Sequence, residues 1–261
     1  MRVVYIGHAT LLLEVGDCRV MTDPNFDPRL GQVLQRVSPP GIALSELPPL
    51  DAILLTHAHA DHLSFTTLDA LPATVPLYAP TPIALWLQKL GYSQARPLEP
   101  GQKISIKGTT VYAAPARHSG NRYGVDRWRS AANMYLLDSG TTSCFFAGDT
   151  ALTPSTDDLV AEHLKKSGRT LDVALLPIGH APWWKPGFRR GHLSSDDALE
   201  LFKRLEAGVF IPYHWGTFHH VTSGPYDAIR RLRSLLGSHP RGTDVKILEP
   251  GESFELQTTS S

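Results

Sequence analysis

The six residues from His57 to His62 restrict this chain more than any other part of its sequence. Four metal-binding side chains lie in the run Thr56-His57-Ala58-His59-Ala60-Asp61-His62-Leu63, directly after the apolar segment Ala52–Thr56. Imidazole and carboxylate groups are among the few side chains that bind divalent transition metals well. His57 and His59 can point the same way in extended chain, whereas Asp61 and His62 lie where the chain turns into a predicted helix. The spacing therefore predicts two ligand sets on one loop.

Three further metal-binding side chains follow other predicted strands. His118 comes after a strand that ends near Ala113, Asp149 lies in Gly148-Asp149-Thr150, and His214 lies in Pro212-Tyr213-His214-Trp215-Gly216. Sheet folds gather their active-site groups at strand ends. A single histidine is usually an ordinary core or surface residue, but these residues together predict the inner shell of a two-metal site. The full set is His57, His59, Asp61, His62, His118, Asp149 and His214.

The spacing of apolar segments predicts a layered α/β fold. Strands are expected at Val3–Ile6, Leu11–Val15, Arg19–Thr22, Ala52–Thr56, Leu77–Ala79, Lys103–Ile106, Thr110–Ala113, Ala132–Asp138, Ser143–Ala147, Val173–Pro177, Val209–Ile211 and Val245–Leu248. Helices are expected at Leu63–Leu71, Pro82–Leu90, Pro154–Lys166, Ser194–Leu205 and Tyr226–Leu236. A Pro-rich loop separates the third and fourth strands. We expect one domain over residues 1–257, with helices covering the sheets, and a disordered tail at 258–261.

The composition argues against several classes of partner. The 261 residues include 25 Lys and Arg and 25 Asp and Glu, so no net charge attracts nucleic acid or an anionic membrane. The two cysteines, Cys18 and Cys144, have no metal-ligand spacing and are expected to be reduced, with a single bridge as the alternative. No apolar run resembles a signal peptide or a transmembrane helix, so a cytoplasmic location is expected.

The order of these motifs resembles the metallo-β-lactamase superfamily. Within it, the chain resembles the branch that contains N-acylphosphatidylethanolamine-hydrolysing phospholipase D and the ascorbate-phosphate lactonases. The matching segments are Ile6-Gly7-His8-Ala9-Thr10, Leu12-Leu13-Glu14, Thr22-Asp23-Pro24, Ser38-Pro39, Ser45–Ala52, Phe145–Thr150, Pro177-Ile178-Gly179 and His214–Phe218. The resemblance implies an αββα sandwich of two mixed sheets with outer helices.

The resemblance also implies how the ligands divide. His57, His59 and His118 would bind one metal, Asp61, His62 and His214 would bind the other, and Asp149 would bridge both. Zinc is the favoured metal for this nitrogen-rich shell, and manganese or iron could occupy the same ligands. Two bridged metals give a hydroxide near neutral pH, which is the expected nucleophile, and Asp61 would orient it by analogy with the superfamily.

Three other residues near these motifs have two interpretations each. Asp23 is either a turn residue before Pro24 or, as the resemblance implies, a carboxylate that fixes a ligand histidine. His192 is either a surface or cap histidine or a group that contacts phosphate or protonates the leaving group. For His8 a structural hydrogen bond is favoured over a contact that orients a metal ligand.

The expected reaction is hydrolysis of a small-molecule phosphodiester or related phosphoester. Trp183 and Trp184 could wall a substrate pocket, and Arg129 could bind a phosphate, although loop packing or a solvated surface explains them equally well. The alternatives are a lactonase or carboxylic-ester hydrolase with the same site and, from another class, a di-iron oxidoreductase.

The chain departs from the phospholipase pattern in two places. The phospholipase has an N-terminal extension before its first strand, and it has Ala-Tyr where this chain has His180 and Ala181. Both differences argue against a membrane lipid as substrate and against stable membrane anchoring. No nucleic-acid partner is expected, and a homo-oligomer is left open.

Overall fold

A computed structural model describes residues 1–31, 34–120, 122, 131–179, 188–219 and 224–256. Its strands are β1 Arg2–Gly7, β2 Thr10–Val15, β3 Cys18–Thr22, β4 Arg29–Leu30, β5 Leu34–Gln35, β6 Ala52–Leu54, β7 Leu77–Ala79, β8 Ala95–Pro97, β9 Lys103–Ile106, β10 Thr109–Pro115, β11 Asn133–Asp138, β12 Ser143–Phe146, β13 Val173–Pro177, β14 Val209–Tyr213 and β15 Ser253–Glu255. Its α-helices are α1 Phe65–Ala70, α2 Thr81–Lys89, α3 Pro154–His163, α4 Ser195–Leu205 and α5 Asp227–Leu236. Short 3-10 helices lie at Leu44–Glu46, Lys165–Ser167, Phe188–Arg190 and Gly242–Asp244.

Two large sheets contain most of the strands. The first sheet has the order β15-β1-β2-β3-β6-β7-β8, and the second has the order β14-β13-β12-β11-β10-β9. Both are mixed, because β3, β6, β7 and β8 run parallel while β1 and β2 form a hairpin. In the second sheet β12, β13 and β14 run parallel, and β9, β10 and β11 are antiparallel to their neighbours.

The two sheets pack face to face, and the alternation of side chains along their strands shows this. On β1, Val3 and Tyr5 belong to the large core between the sheets, whereas Val4 and Ile6 lie on the outer face. Helices α1 and α2 cover the outer face of the first sheet, and α3, α4 and α5 cover that of the second. The predicted αββα arrangement is confirmed. None of the helices within the described residues has both the length and the apolar character needed to cross a bilayer.

Most predicted elements are present, and their differences at the ends are small. The N-cap of α4 is Ser194 as predicted, and with Asp197 it forms a capping box. The Pro-rich loop covers the part of the first sheet that no helix covers, since Phe26, Ile42, Leu47 and Leu50 pack on Val4, Ile6 and Leu12. The predicted tail at 258–261 lies outside the described residues.

The strand predicted at Val245–Leu248 is wrong. Val245 forms one isolated bridge to Phe210, and Lys246 N donates to the carbonyl oxygen of Phe210 at 2.8 Å. The chain then crosses to the first sheet, where Gly251 N donates to the carbonyl of Tyr5 at 2.8 Å and β15 pairs with β1. Four short strands, β4, β5, β8 and β15, are absent from the sequence prediction.

The strand directions bring the predicted ligand positions to one edge of the sandwich. β1 is antiparallel to β2 and β2 to β3, so the carboxyl ends of β1, β3 and β6 lie at the same edge of the first sheet. By the same reasoning the carboxyl ends of β10, β12, β13 and β14 meet at one edge of the second sheet. The chain that follows these strands carries all seven candidate ligands.

Candidate metal centre

Two groups of side chains converge at this edge, and Asp149 reaches both. The first cluster consists of His57, His59, His118 and Asp149, whose potential ligand atoms all lie within 4.8 Å of one another. The second cluster consists of Asp61, His62 and His214, which meet the same limit together with His8. Each cluster takes side chains from the ends of strands in both sheets.

The first cluster is built around His59. Its Nδ1 atom lies 2.9 Å from Nε2 of His57 and 3.1 Å from Nε2 of His118. His59 thus presents its Nδ1 atom to the cluster, whereas the other two histidines present Nε2. The three imidazoles meet edge to face, which lets three nitrogen lone pairs point at one place.

The second cluster is built around the Nε2 atoms of His62 and His214, which lie 3.3 Å apart. Oδ2 of Asp61 lies 3.5 Å from Nε2 of His214 and 3.8 Å from Nε2 of His62. Asp149 enters from the other side, with Oδ2 at 3.4 Å from Nε2 of His62 and Oδ1 at 3.4 Å from Nε2 of His214. Its carboxylate therefore faces the second cluster as well as the first.

These donor sets fit divalent metal ions. Ligands held at about 2.0–2.2 Å in a tetrahedral shell lie roughly 3.3–3.6 Å from one another, which is close to the separations in the second cluster. Oδ1 of Asp149 is buried and accepts no hydrogen bond from the described residues. A buried carboxylate oxygen without a partner is costly unless a cation neutralises it.

The loop that carries four of the ligands is shaped by its own hydrogen bonds. Ala58 N donates to the carbonyl of Gly120 at 3.2 Å, and Leu63 N donates to the carbonyl of His59 at 2.8 Å. Ser64 then caps α1 by accepting from the backbone of the first turn at 3.0 Å. A side chain at Gly120 would meet Cβ of His57 at 2.9 Å, so only glycine allows this close approach.

Asp23 lies behind both clusters. Its Oδ1 accepts from Thr56 N at 2.7 Å, and its Oδ2 accepts from the Thr56 hydroxyl at 2.6 Å. The same Oδ2 atom is 2.7 Å from Nδ1 of His62, and the Thr56 hydroxyl is 2.9 Å from Nδ1 of His57. Of its two sequence interpretations, the contact with a candidate ligand histidine is the one the geometry supports.

His192 also faces the centre. Its Nε2 lies 3.3 Å from Oδ2 of Asp149, its ring meets that of His118 edge to face, and its side chain is 16% exposed. The preceding Gly191 carbonyl lies 2.7 Å from Nδ1 of His118 and orients that ring. This segment leads into the capped start of α4, which fixes its position.

Burial and neighbouring charges set the protonation of the centre. Burial would raise the pKa of Asp149, but His214 and His62 hold it well below its ordinary value. Burial, together with His62 and His118, lowers the pKa of His57 well below its ordinary value. Burial lowers the pKa of His118 to about 3. An ionised carboxylate and neutral imidazoles are the forms that bind cations. His62 differs, because burial would lower its pKa but the carboxylates around it, led by Asp149, hold that pKa well above its ordinary value.

The structure brings all seven predicted ligands together and places Asp23 and His192 against them. Trp183, Trp184 and Arg129, the predicted substrate contacts, lie outside the described residues. Sequence reasoning missed Thr56 and Gly191, and it gave His8 mainly a structural role. One available signal for His8 was its place after β1, whose end lies beside those of β3 and β6.

Comparisons with known proteins point the same way. The family model of the beta-lactamase superfamily domain matches residues 18–215. A metal-dependent hydrolase of Methanopyrus kandleri is 29% identical over 98% of this chain and 100% of its own length. N-acyl-phosphatidylethanolamine-hydrolyzing phospholipase D 1 of Caenorhabditis elegans is 26% identical over 96% of this chain and 74% of its own.

Solved structures share the fold at lower identity. The isothiocyanate hydrolase from Delia radicum gut bacteria has a TM-score of 0.78 and 19% identity, with 98% of this chain and 99% of that chain covered. CmlA, a diiron β-hydroxylase from Streptomyces venezuelae, has a TM-score of 0.68 and 19% identity, with 98% of this chain but 54% of that chain covered. At this identity the similarity concerns the fold alone.

Proposed function

This chain belongs to the beta-lactamase superfamily and is a metal-dependent hydrolase, and from that premise we propose that it hydrolyses small-molecule phosphodiesters or related phosphoesters at a two-ion centre. His57, His59 and His118 would hold one ion, Asp61, His62 and His214 the other, and Asp149 both. The observation that carries this proposal is the position of Asp149, whose buried carboxylate faces both clusters and has an oxygen without a hydrogen-bond donor among the described residues.

When bound, two divalent ions would supply Lewis acidity and a hydroxide nucleophile near neutral pH. The residues of the chain supply position and charge. Asp149 lies 3.4 Å from Nε2 of both His62 and His214 and also belongs to the first cluster, so its carboxylate lies between the two clusters. Asp61 is the most exposed carboxylate of the centre, with a side chain that is 21% exposed, and it would orient the hydroxide.

His192 is the residue we assign to the leaving group. Its ring borders the first cluster, and its partial exposure gives an incoming substrate access to it. In the protonated form it could contact a phosphate oxygen or deliver a proton to the departing alkoxide.

The substrate class rests on similarity and on charge. The Caenorhabditis elegans relative carries a phospholipase D name, and cleavage of a phosphodiester is the reaction that the name states. A centre with two cations and one protonatable histidine suits a phosphoester, whose non-bridging oxygens carry negative charge. The carboxylic-ester and lactone alternatives use the same residues and are separated by experiment.

The test is a substrate panel with the full chain loaded with zinc, manganese or iron. It contains bis(4-nitrophenyl) phosphate, an aryl phosphotriester, γ- and δ-lactones and 4-nitrophenyl acetate. Turnover of the phosphodiester that is lost in Asp149→Asn and retained in Asp17→Asn, an exposed carboxylate in the β2–β3 turn, would support the proposal. Turnover of lactones without the phosphodiester would overturn the substrate class.

Metal analysis separates the remaining alternative. Activity that follows zinc content, with no visible absorption, would agree with a hydrolase. An iron centre that absorbs visible light and consumes oxygen would instead favour the di-iron oxidoreductase. Two metal equivalents per chain are expected in the active preparation.

A further inference from the structure

We propose that His8 is a positioning residue of this centre. By donating a hydrogen bond from its Nε2 atom, it holds the Asp61 carboxylate in place for the ion of the second cluster, called the second ion below; the ion of the first cluster is the first ion. The inference rests on the two-ion centre of the proposed function. It assigns a role to a residue in a hairpin turn far from the ligand motifs in sequence, and it explains why a histidine occupies a backbone position that disfavours it.

The contact itself is short and buried. Nε2 of His8 lies 2.9 Å from Oδ2 of Asp61, and the His8 side chain is 3% exposed. An ionised carboxylate can only accept hydrogen bonds, so the proton of the His8 ring lies on Nε2. Nδ1 is then an acceptor, and it is buried with no partner among the described residues. The opposite tautomer would leave both ring nitrogens unsatisfied, which burial makes more costly still.

The backbone holds His8 in the left-handed region, which residues other than glycine adopt uncommonly. Its φ is +57°, a value that two-residue hairpins usually assign to glycine or asparagine. Its backbone N–H is directed at the hydroxyl oxygens of Tyr5, at 3.1 Å, and Thr217, at 2.8 Å. Its carbonyl accepts from the backbone of His214 at 3.0 Å. A strained residue that is fastened in this way is a reason to look for a function of its side chain.

Asp61 is the ligand that most needs support. The side chains of His62 and His214 are fully buried, whereas that of Asp61 is 21% exposed. Among the described residues outside the two clusters, His8 is the only hydrogen-bond donor that the structure provides for this carboxylate. The His8 ring also packs on that of His214, with centroids 3.8 Å apart, so it cannot turn away without disturbing a second ligand.

A matched pair of substitutions tests the hydrogen bond. In His8→Gln the amide nitrogen can reach the position of Nε2, whereas His8→Met keeps a similar length and volume without a donor. Both side chains are unbranched at Cβ, so the positive φ strains them alike. A third variant, His8→Asn, tolerates positive φ better, but its amide reaches only the position of Nδ1. His163→Gln, where the ring stacks on Tyr112 away from the centre, is the control.

The readout is the affinity for each of two zinc ions, measured on metal-free full-length protein by chelator competition, with the absorption of bound cobalt as a second signal. We expect His8→Met and His8→Asn to lower the affinity for the second ion about 10–100-fold, since loss of a group that hydrogen bonds to a metal ligand has that effect. His8→Gln should bind both ions as the wild type does, and the first ion should be unaffected throughout.

Two results would overturn the inference alone. Wild-type affinity in His8→Met and His8→Asn would show that Asp61 needs no donor. Loss of the second ion in His8→Gln to the same extent as in His8→Met would show that the ring, not its hydrogen bond, matters. A wild-type chain that binds one ion only would overturn the proposed function together with this inference. The Asn variant keeps the test valid if His8→Met fails to fold.

Discussion

Oδ2 of Asp23 lies 2.7 Å from Nδ1 of His62, and neither side chain is exposed to solvent. The carboxylate also accepts both the N–H and the hydroxyl of Thr56, whose oxygen is 2.9 Å from Nδ1 of His57. One buried carboxylate therefore orients a histidine of each cluster, one directly and one through a hydroxyl. This arrangement leaves Nε2 of both rings as a lone pair for a metal.

Asp23→Asn should lower the affinity for both ions. An amide keeps the shape of the carboxylate but brings a donor to a place where the native partners already donate, so the orientation of His57 and His62 suffers. We expect about a 10–100-fold loss of affinity at each ion, measured by chelator competition. Loss confined to one ion, or no loss, would contradict the shared role of Asp23.

Thr56→Val should lower the affinity for the first ion alone. The substitution keeps the volume and β-branching of threonine but removes the hydroxyl between Asp23 and Nδ1 of His57. His62 keeps its direct contact with Asp23, so the second ion should bind normally. Thr56→Ser, which keeps the hydroxyl, is the matched control. Equal losses at both ions in the valine variant would show that the effect is a general disturbance of the loop.

Asp149→Ala should abolish activity and reduce metal content from two ions towards one or none. The substitution removes the carboxylate that faces both clusters, including the oxygens that lie 3.4 Å from Nε2 of His62 and His214. Elemental analysis of purified protein measures the loss of metal. Asp17→Ala, on the exposed turn, controls for metal lost during purification. Retained activity with two ions would refute the bridging role.

His192→Gln should lower kcat while leaving metal content unchanged. Proton transfer by a positioned side chain typically contributes about 10²–10⁴-fold to a rate, and glutamine can hydrogen bond but cannot transfer the proton. The loss should be smaller for substrates with a good leaving group, such as 4-nitrophenolate, than for alkyl esters. An equal loss for both leaving groups would argue for phosphate contact instead.

Gly179→Ala should destabilise the protein and damage the second cluster. An added Cβ would lie 1.9 Å from the carbonyl oxygen of His214 and 2.7 Å from its Nδ1 atom, so the backbone must shift. Overpacking of this kind costs about 1–3 kcal/mol. Gly237→Ala, where the added Cβ meets nothing within 4 Å, should leave the midpoint of thermal unfolding nearly unchanged. Equal midpoints for the two variants would contradict this.

The sequence predicts the parts of this centre that follow apolar strands. Residues 57–62 come after β6 and Asp149 after β12, and both strands are buried runs that any reading of apolar segments detects. The direction of these strands then brings their ends together. The layered fold could be predicted for the same reason, because alternating and continuous apolar segments show which faces are buried.

What the sequence could not predict depends on tertiary contacts. The choice of Nδ1 by His59 depends on the position of His118, a contact across 59 residues. β15, Ser253–Glu255, has no apolar alternation, since it is an edge strand whose residues are mostly exposed. The role of His8 depends on Asp61, 53 residues away, and a lone histidine in a turn gives no local sign of it.

The division of the ligands between the two sheets has a consequence for the molecule as a whole. Each proposed ion would join groups from the first sheet to groups from the second, and His62 and His214 are separated by 152 residues of chain. An ion held in this way would tether the halves of the sandwich as a crosslink does. The ion of the second cluster would have its full set of ligands only after His214 has been synthesised. A free metal concentration of 100 times the dissociation constant stabilises a folded state by about 2.7 kcal/mol. Metal supply would therefore set how firmly the two layers of this protein stay together.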